Sequence, residues 1–206
     1  MAGKLVLIMG PSGVGKSVIL KELRKRQPEL HFPRSATTRA RRPGEGTELY
    51  RFLSDAEFDE LLRTDSVLEH AVVHGGPPGP DGAVRTGARY GTLKDEIIPF
   101  IEKGNIVVRE VDVQGFDSIR KHTLFASPNP RYHLQTIFIL PESKEQLIAH
   151  IQKRAPMSPD ELTRRIASME KELGFAKDCD IEVKNIEGKL TETLKEVETA
   201  VLTDTR

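Results

Sequence analysis

Three clusters of residues in this chain have the types and spacing for phosphate chemistry. The first is Gly10, Pro11, Ser12, Gly13, Val14, Gly15, Lys16 and Ser17, preceded by the apolar run 5–9 and followed by a helical pattern over 16–26. A Gly-rich turn from strand to helix can aim its backbone N–H groups at a polyphosphate, and the helix N-terminus adds partial positive charge. Lys16 would reach the β- and γ-phosphates there, and the Ser17 hydroxyl would ligate Mg²⁺. The second cluster closes the apolar run 105–112, which ends in Asp112 with Glu110 two positions earlier, so that both would share one strand face. An acid at the end of a buried strand is the Walker B pattern; Asp112 would serve a metal or ligand, or else cap the helix that follows. The third cluster is Arg39, Arg41 and Arg42, just downstream of Ser35, Thr37 and Thr38. Three guanidinium groups so close together are easiest to understand around an anion, the plain alternative being a solvated loop.

These groups need a frame, and the sequence predicts an α/β one. Buried strands are expected at 5–9, 105–112 and 134–140, with shorter extended segments at 31–38, 50–53, 67–73 and 180–183. The run 67–73 carries one carboxylate, Glu69, in a mostly apolar setting. Ser54 and Glu57 form a capping box for a helix to Arg63, and Thr92 is read as the N-cap of a helix over 93–103. Ser143 opens a helix to about Arg154, and Ser158, Pro159 and Glu161 combine cap, proline and capping-box acid at the start of another. Those two helices, with Arg154, Arg164 and Arg165 around their proline-containing connection, read as a lid, or as ordinary basic faces. An amphipathic helix over 189–201 closes the chain. Residues 75–89, dense in Gly and Pro, read as a loop without chemistry.

Composition narrows the classes. Two hundred and six residues suffice for one hydrophobic core, and 31 basic residues balance 31 acidic ones, so no overall field draws the chain to nucleic acid or to a membrane surface. No run approaches the roughly 18 apolar residues of a membrane span. One cysteine, Cys179, excludes an internal disulfide framework and fits a reducing, cytoplasmic setting; Asp178 and Asp180 beside it would raise the thiol pKa and keep it inert. His70 and His74 are taken as coincidence rather than as metal ligands. Nothing demands assembly beyond a monomer or weak homodimer.

Taken together, Gly10 to Ser17, Ser35 with Thr37, Thr38, Arg39, Arg42, Gly44 and Glu45, Tyr50 with Phe52, Leu68-Glu69 with Ala71, Tyr90-Gly91-Thr92, Asp112-Val113-Gln114-Gly115, and Arg154 with Arg165 resemble the guanylate kinases over nearly the whole chain. The middle motifs carry the likeness, since P-loops occur in many families. The resemblance implies a P-loop kinase with a parallel-sheet core (about 1–33, 93–141 and 171–206), helices on both faces, an inserted GMP-binding subdomain (about 34–92) and a helical lid (about 142–170). It implies transfer of a phosphoryl group from ATP to GMP, and to dGMP, with Mg²⁺. It places Arg39, Arg42, Tyr50 and Tyr90 on the GMP phosphate, Ser35, Glu69, Thr92 and Glu110 around guanine, and Arg154 and Arg165 on the transferring phosphates. Lys16, Arg42, Arg154 and Arg165 would be catalytic, and Ser17 and Asp112 would hold the metal.

The chemistry is consistent on its own terms: guanine offers N1–H and N2–H donors beside the O6 acceptor, which a carboxylate and hydroxyls complement, whereas adenine offers the opposite pattern. Departures from the family pattern are the long excursion 76–89, His150 in place of an arginine, Glu110 in place of an aspartate and Val18 in place of a threonine. A P-loop kinase of another small phosphorylated molecule, such as a ribose bisphosphate, and a non-catalytic peptide-binding module of the same shape are the alternative readings.

Overall fold

The computed structural model describes residues 3–73, 87–126, 128–154 and 158–204. Along the chain run β1 (Lys4–Met9), α1 (Lys16–Arg26), β2 (Ser35–Thr37), β3 (Tyr50–Phe52), α2 (Asp55–Arg63), β4 (Val67–Val73), β5 (Ala88–Leu93), α3 (Ile98–Glu102), β6 (Ile106–Glu110), α4 (Val113–Lys121), β7 (His133–Pro141), α5 (Lys144–Arg154), α6 (Pro159–Leu173), β8 (Ile181–Asn185) and α7 (Leu190–Leu202).

The hydrophobic run of β1 is buried at all six positions because it lies inside a four-stranded sheet, order β6-β1-β7-β8, with every neighbour parallel. Alternation sends Val6 and Ile8 to one face, against Ile19 and Leu23 of α1 and Leu194 and Val197 of α7. Leu5, Leu7 and Met9 go to the other, against Ile101 of α3 and Phe116 and Ile119 of α4. A parallel sheet covered on both faces exposes its strand C-termini as the open edge, and there the chain turns from β1 into α1. Gly10 makes that turn at φ 148°, and a Cβ on it would stand 2.6 Å from the Ile139 carbonyl oxygen. Only a residue without a side chain brings the loop this close to β7.

A second sheet, order β3-β2-β5-β4, is spliced between α1 and β6 and packs Ala36, Val67 and Leu93 on Phe58 of α2. Its register decides which side chains work together. Tyr50 pairs with Ser35, Ser35 with Thr92, and Thr92 with Glu69, so these four stand in one row across the four strands. Two residues along, Tyr90 pairs with Ala71 and falls on the same face.

Several sequence expectations give way here. Thr92 does not cap a helix over 93–103: β5 runs on to Leu93, a 3₁₀ turn covers Lys94–Glu96, and the helix proper is the five residues of α3. Pairing with both β2 and β4 satisfies the backbone through Leu93, and the Thr92 hydroxyl is spent on Glu69 instead. Likewise β5 begins at Ala88, so Arg89 is a strand residue opposite Val72 rather than the end of a loop. Most of the Gly/Pro-rich segment, and His74, lie outside the described residues. The capping box at Ser54 and Glu57 and the cap of Ser158 on the Glu161 N–H form as read. Cys179 has its thiol pKa pushed up to about 11, with burial beside Met9 as the larger cause and the flanking aspartates secondary.

Candidate functional site

A cleft of about 590 Å³ opens between the two sheets. It takes Gly10, Ser12, Gly13, Gly15, Lys16 and Ser17 from the β1–α1 turn, Ser35, Tyr50, Glu69, Ala71 and Tyr90 from the inserted sheet, Arg109 to Gly115 from β6 and α4, and Ser168 and Glu172 from α6. The size suits a small organic ligand, and both walls are polar.

On the first wall, Gly13 and Gly15 have φ of 92° and 98°, and Gly15 is the N-cap of α1. The Ser12 N–H already holds an anion, donating to the Glu172 carboxylate at 3.1 Å, which demonstrates the turn's appetite for negative oxygen. Lys16 Nζ donates to the carbonyls of Gly10 at 2.7 Å and Pro11 at 3.2 Å and lies 3.8 Å from Glu110. Ser17 is exposed on the first turn of α1. Val14 is buried and borders a smaller hollow of about 180 Å³ behind the turn, with His150 and Asn185. The Asn185 amide donates to the Val14 carbonyl at 2.8 Å, tying β8 to the loop.

The second wall is the row described above. Thr92 is fully buried, and its hydroxyl donates to Glu69, which presents the remaining carboxylate face to the cleft. The Glu69 carboxyl carbon comes within 3.5 Å of where a Cβ on Gly115 would sit, so the start of α4 forms the floor beneath it. Arg39 stacks its guanidinium over Tyr50 at 5.2 Å, donates to the Tyr90 hydroxyl at 3.2 Å, and is clasped by Glu45 through two bonds of 2.9 and 2.7 Å. Glu45 also accepts from the Arg42 N–H at 3.0 Å, while Arg41 donates to its carbonyl. The arginine cluster thus carries its own anion, where sequence reasoning supplied only an external one.

The two bonds from Arg39 hold the Glu45 carboxyl down at about 2, below its ordinary 4.5. A depressed carboxyl stabilises the folded loop fully above about pH 4.5, and that contribution fades as pH falls toward 2. An NMR titration of the Glu45 side chain is therefore expected to show its midpoint near 2, and a midpoint above 4 would refute the Arg39 clasp.

Between the walls stand the acids. The strand ends at Glu110, so Asp112 does not share a strand face with it; Asp112 is the N-cap of α4, accepting from the Gly115 N–H at 2.8 Å. That bond occupies one carboxylate oxygen and leaves the other. Ser17, Glu110 and Asp112 supply the hard oxygen donors that Mg²⁺ takes sparsely beside phosphate oxygens and water, so the residues present fit such an ion. No group of three or more His, Cys, Asp or Glu able to hold a metal by itself occurs among the described residues.

The guanylate kinase family model matches residues 2–204. This chain belongs to the guanylate kinase family. A guanylate kinase of Gloeobacter violaceus is 38% identical over 197 residues, covering 95% of this chain and 85% of its own. One from Thermosynechococcus vestitus is 34% identical, covering 97% and 93%. The crystal structure of guanylate kinase from Anaplasma phagocytophilum superposes with a TM-score of 0.64 at 23% identity, covering all of this chain and 89% of that one, which is a likeness of fold.

Within this guanylate kinase fold, the residues picked from sequence fall into two groups. Gly10, Ser12, Gly13, Gly15, Lys16, Ser17, Ser35, Tyr50, Glu69, Tyr90, Glu110 and Asp112 meet at the cleft, with Thr92 directly beneath Glu69. Three of the arginines do not line it: Arg39 is held by Glu45 over the Tyr50 ring, Arg42 is exposed on its loop, and Arg165 pairs along α6 with Glu161 at 2.8 Å. Arg154 ends α5, and its side chain lies outside the described residues. Sequence reasoning passed over Arg109, Ser168, Glu172 and Asn185. The one legible signal among these was Arg109, the single basic residue of β6, next to Glu110 at the strand's end; the other three acquire their places only through the packing of α6 and β8 on the turn.

Proposed function

We infer that the cleft carries the activity of its family, ATP-dependent phosphorylation of GMP to GDP, with dGMP as a second acceptor. The observation that supports it best is the Tyr50–Ser35–Thr92–Glu69 row facing the Gly10–Ser17 turn across a single cleft. One wall suits a triphosphate and the other a base with two donors and one acceptor.

In this reading the turn's N–H groups and Lys16 hold the ATP phosphates. Glu69 accepts from guanine N1–H and N2–H, and Ser35 donates to O6. Tyr50, Tyr90 and Arg39 receive the GMP phosphate, joined by Arg42 when its loop moves in. The attacking phosphate oxygen is already largely anionic at neutral pH, its second pKa being about 6, so no general base is needed. What the protein must supply is in-line placement of two anions that repel each other and relief of their charge as the phosphoryl group passes. Ser17 and Asp112, with Glu110 nearby, would hold Mg²⁺, which would supply positive charge against the phosphates. Arg154 and Arg165 would reach the moving phosphoryl group only after the lid, about 142–170, closes over the core, and the inserted subdomain, about 34–92, would close from the other side. Closure excludes the water that would hydrolyse ATP. No helix among the described residues is long and apolar enough to cross a membrane, and we place the enzyme in the cytoplasm with its nucleotide substrates.

A coupled assay of ADP formation tests this directly. GMP is expected to drive ADP release with Mg²⁺ present, with AMP, UMP and ribose bisphosphates slower by on the order of 100-fold or more. Absence of GMP-dependent ADP release would overturn the assignment.

A further inference from the structure

Arg109 is the single basic residue of β6 in the core sheet, level with Leu7 of β1. Its guanidinium leaves that sheet and reaches the inserted one, where Nη1 donates to Ser35 Oγ at 2.8 Å. Its Nε is enclosed and has no hydrogen-bond partner among the described residues. Burial opposes its charge, and the nearby carboxylate of Glu69 is the strongest of the fields that sustain it. The side chain lines the cleft beside Ser35 and Glu69, the two groups assigned above to the base.

A serine hydroxyl can donate or accept, so on its own it distinguishes a carbonyl from an amino group poorly. A guanidinium can only donate. In the Arg109–Ser35 bond the serine oxygen is therefore the acceptor, and its single proton is left to point elsewhere. The adjacent cation also polarises the O–H as a donor and disfavours a second N–H approaching the same oxygen.

We propose that Arg109 is a specificity-determining positioning residue: it fixes the Ser35 hydroxyl as a donor toward the C6 substituent of the purine, so that the cleft accepts a 6-oxo base and rejects a 6-amino one. The proposal rests on the guanine reading of the second wall. It divides the work, with Glu69 reading N1 and the 2-amino group while Arg109 and Ser35 together read C6.

Three acceptors are compared: GMP, IMP, which lacks only the 2-amino group, and 2,6-diaminopurine ribonucleoside monophosphate, whose C6 carries an amine and whose N1 carries no proton, so that the change of its ratio on substituting Arg109, and not the ratio itself, reads C6. The kcat/KM ratio of GMP to the diaminopurine nucleotide is expected to fall about tenfold or more in Arg109→Leu, whereas the ratio of GMP to IMP stays within about threefold. Arg109→Gln, whose amide oxygen can take the serine proton and so reverse its polarity, gives the same fall and serves if the leucine variant does not fold. Arg109→Lys keeps a donor and holds the ratio near wild type. In a Ser35→Ala background Arg109→Leu changes the ratio no further.

A GMP-selective wild type whose diaminopurine ratio is unmoved by both substitutions overturns the proposal alone. So does a parallel fall for all three nucleotides, which is what a purely structural arginine would give. A wild type indifferent to the base overturns the guanine reading and this proposal with it.

Discussion

Lys16→Ala should lower turnover by at least about 10³-fold, a loss of about 4 kcal/mol of transition-state stabilisation, while the protein stays folded. The ammonium is mostly enclosed and rests on the Gly10 and Pro11 carbonyls, within the same turn whose Ser12 N–H takes a carboxylate. Those carbonyls orient the ammonium, which also stands 3.8 Å from the Glu110 carboxylate, and a phosphate arriving at the turn meets a cation already in place. Removing it deprives the moving phosphoryl group of the nearest fixed positive charge that the described P-loop offers. The Pro11 carbonyl keeps the Val14 N–H, and the Gly10 carbonyl left behind costs at most about 1–3 kcal/mol of stability if water does not reach it. Lys16→Arg is not expected to rescue, because a planar fork cannot occupy the pocket of a compact ammonium. Single-turnover rates beside thermal melts check both halves. A variant within tenfold of wild type would remove the turn from the chemistry.

How much of this could be read from the chain depended on whether a group's partner was local. The strand–turn–helix around Lys16 was legible because the pattern is contiguous: an apolar run, glycines at the bends, then Lys16 and Ser17. The caps at Ser54 and Ser158 were legible for the same reason. Thr92 was misread as a cap because a threonine before an acidic helical pattern looks the same whether or not its backbone belongs to a sheet. What decided otherwise was β2 on one side and β4 on the other, both distant in sequence. Asp112 shows the limit from the other direction. The cap bond from Gly115 uses one oxygen of its carboxylate and leaves the other, so being a helix cap does not exclude the reading as a ligand for the site. The arginines were found by their crowding, but Glu45 lay within the same loop and its part in holding Arg39 was missed, since charge counts do not show which acid folds back. Arg109 carries the general point furthest. Its partner Ser35 is 74 positions away on another sheet, and only the packing of the two sheets makes the one arginine of β6 part of the site.

Glu69→Gln should cut kcat/KM for GMP by on the order of 10²- to 10³-fold, raise that for AMP relative to GMP, and leave the KM for ATP within about threefold. Thr92 donates to one side of the carboxylate, and the floor at Gly115 fixes its height, so the carboxylate cannot turn away from a base lying on the Ser35–Glu69 row. Against guanine it offers acceptors to both N1–H and N2–H, and charge makes each bond roughly twice as strong as a neutral one. An amide in its place keeps one acceptor and turns a second donor on guanine's own donors. Toward adenine the same amide is complementary, accepting from N6–H and donating to N1. The substitution therefore changes the sign of the match at the base while leaving the P-loop wall untouched, and the ratio of GMP to AMP is the quantity that separates this from simple damage. Because Glu69 also supports the charge of Arg109, the C6 preference should weaken in the same variant, whereas Arg109→Leu should spare the 2-amino preference. That asymmetry follows from the order of contacts in the proposed reading, where Glu69 would touch the base directly and Arg109 would reach it through Ser35. Equal losses on GMP and AMP, with their ratio unchanged, would mean that the row across the inserted sheet does not hold a base at all.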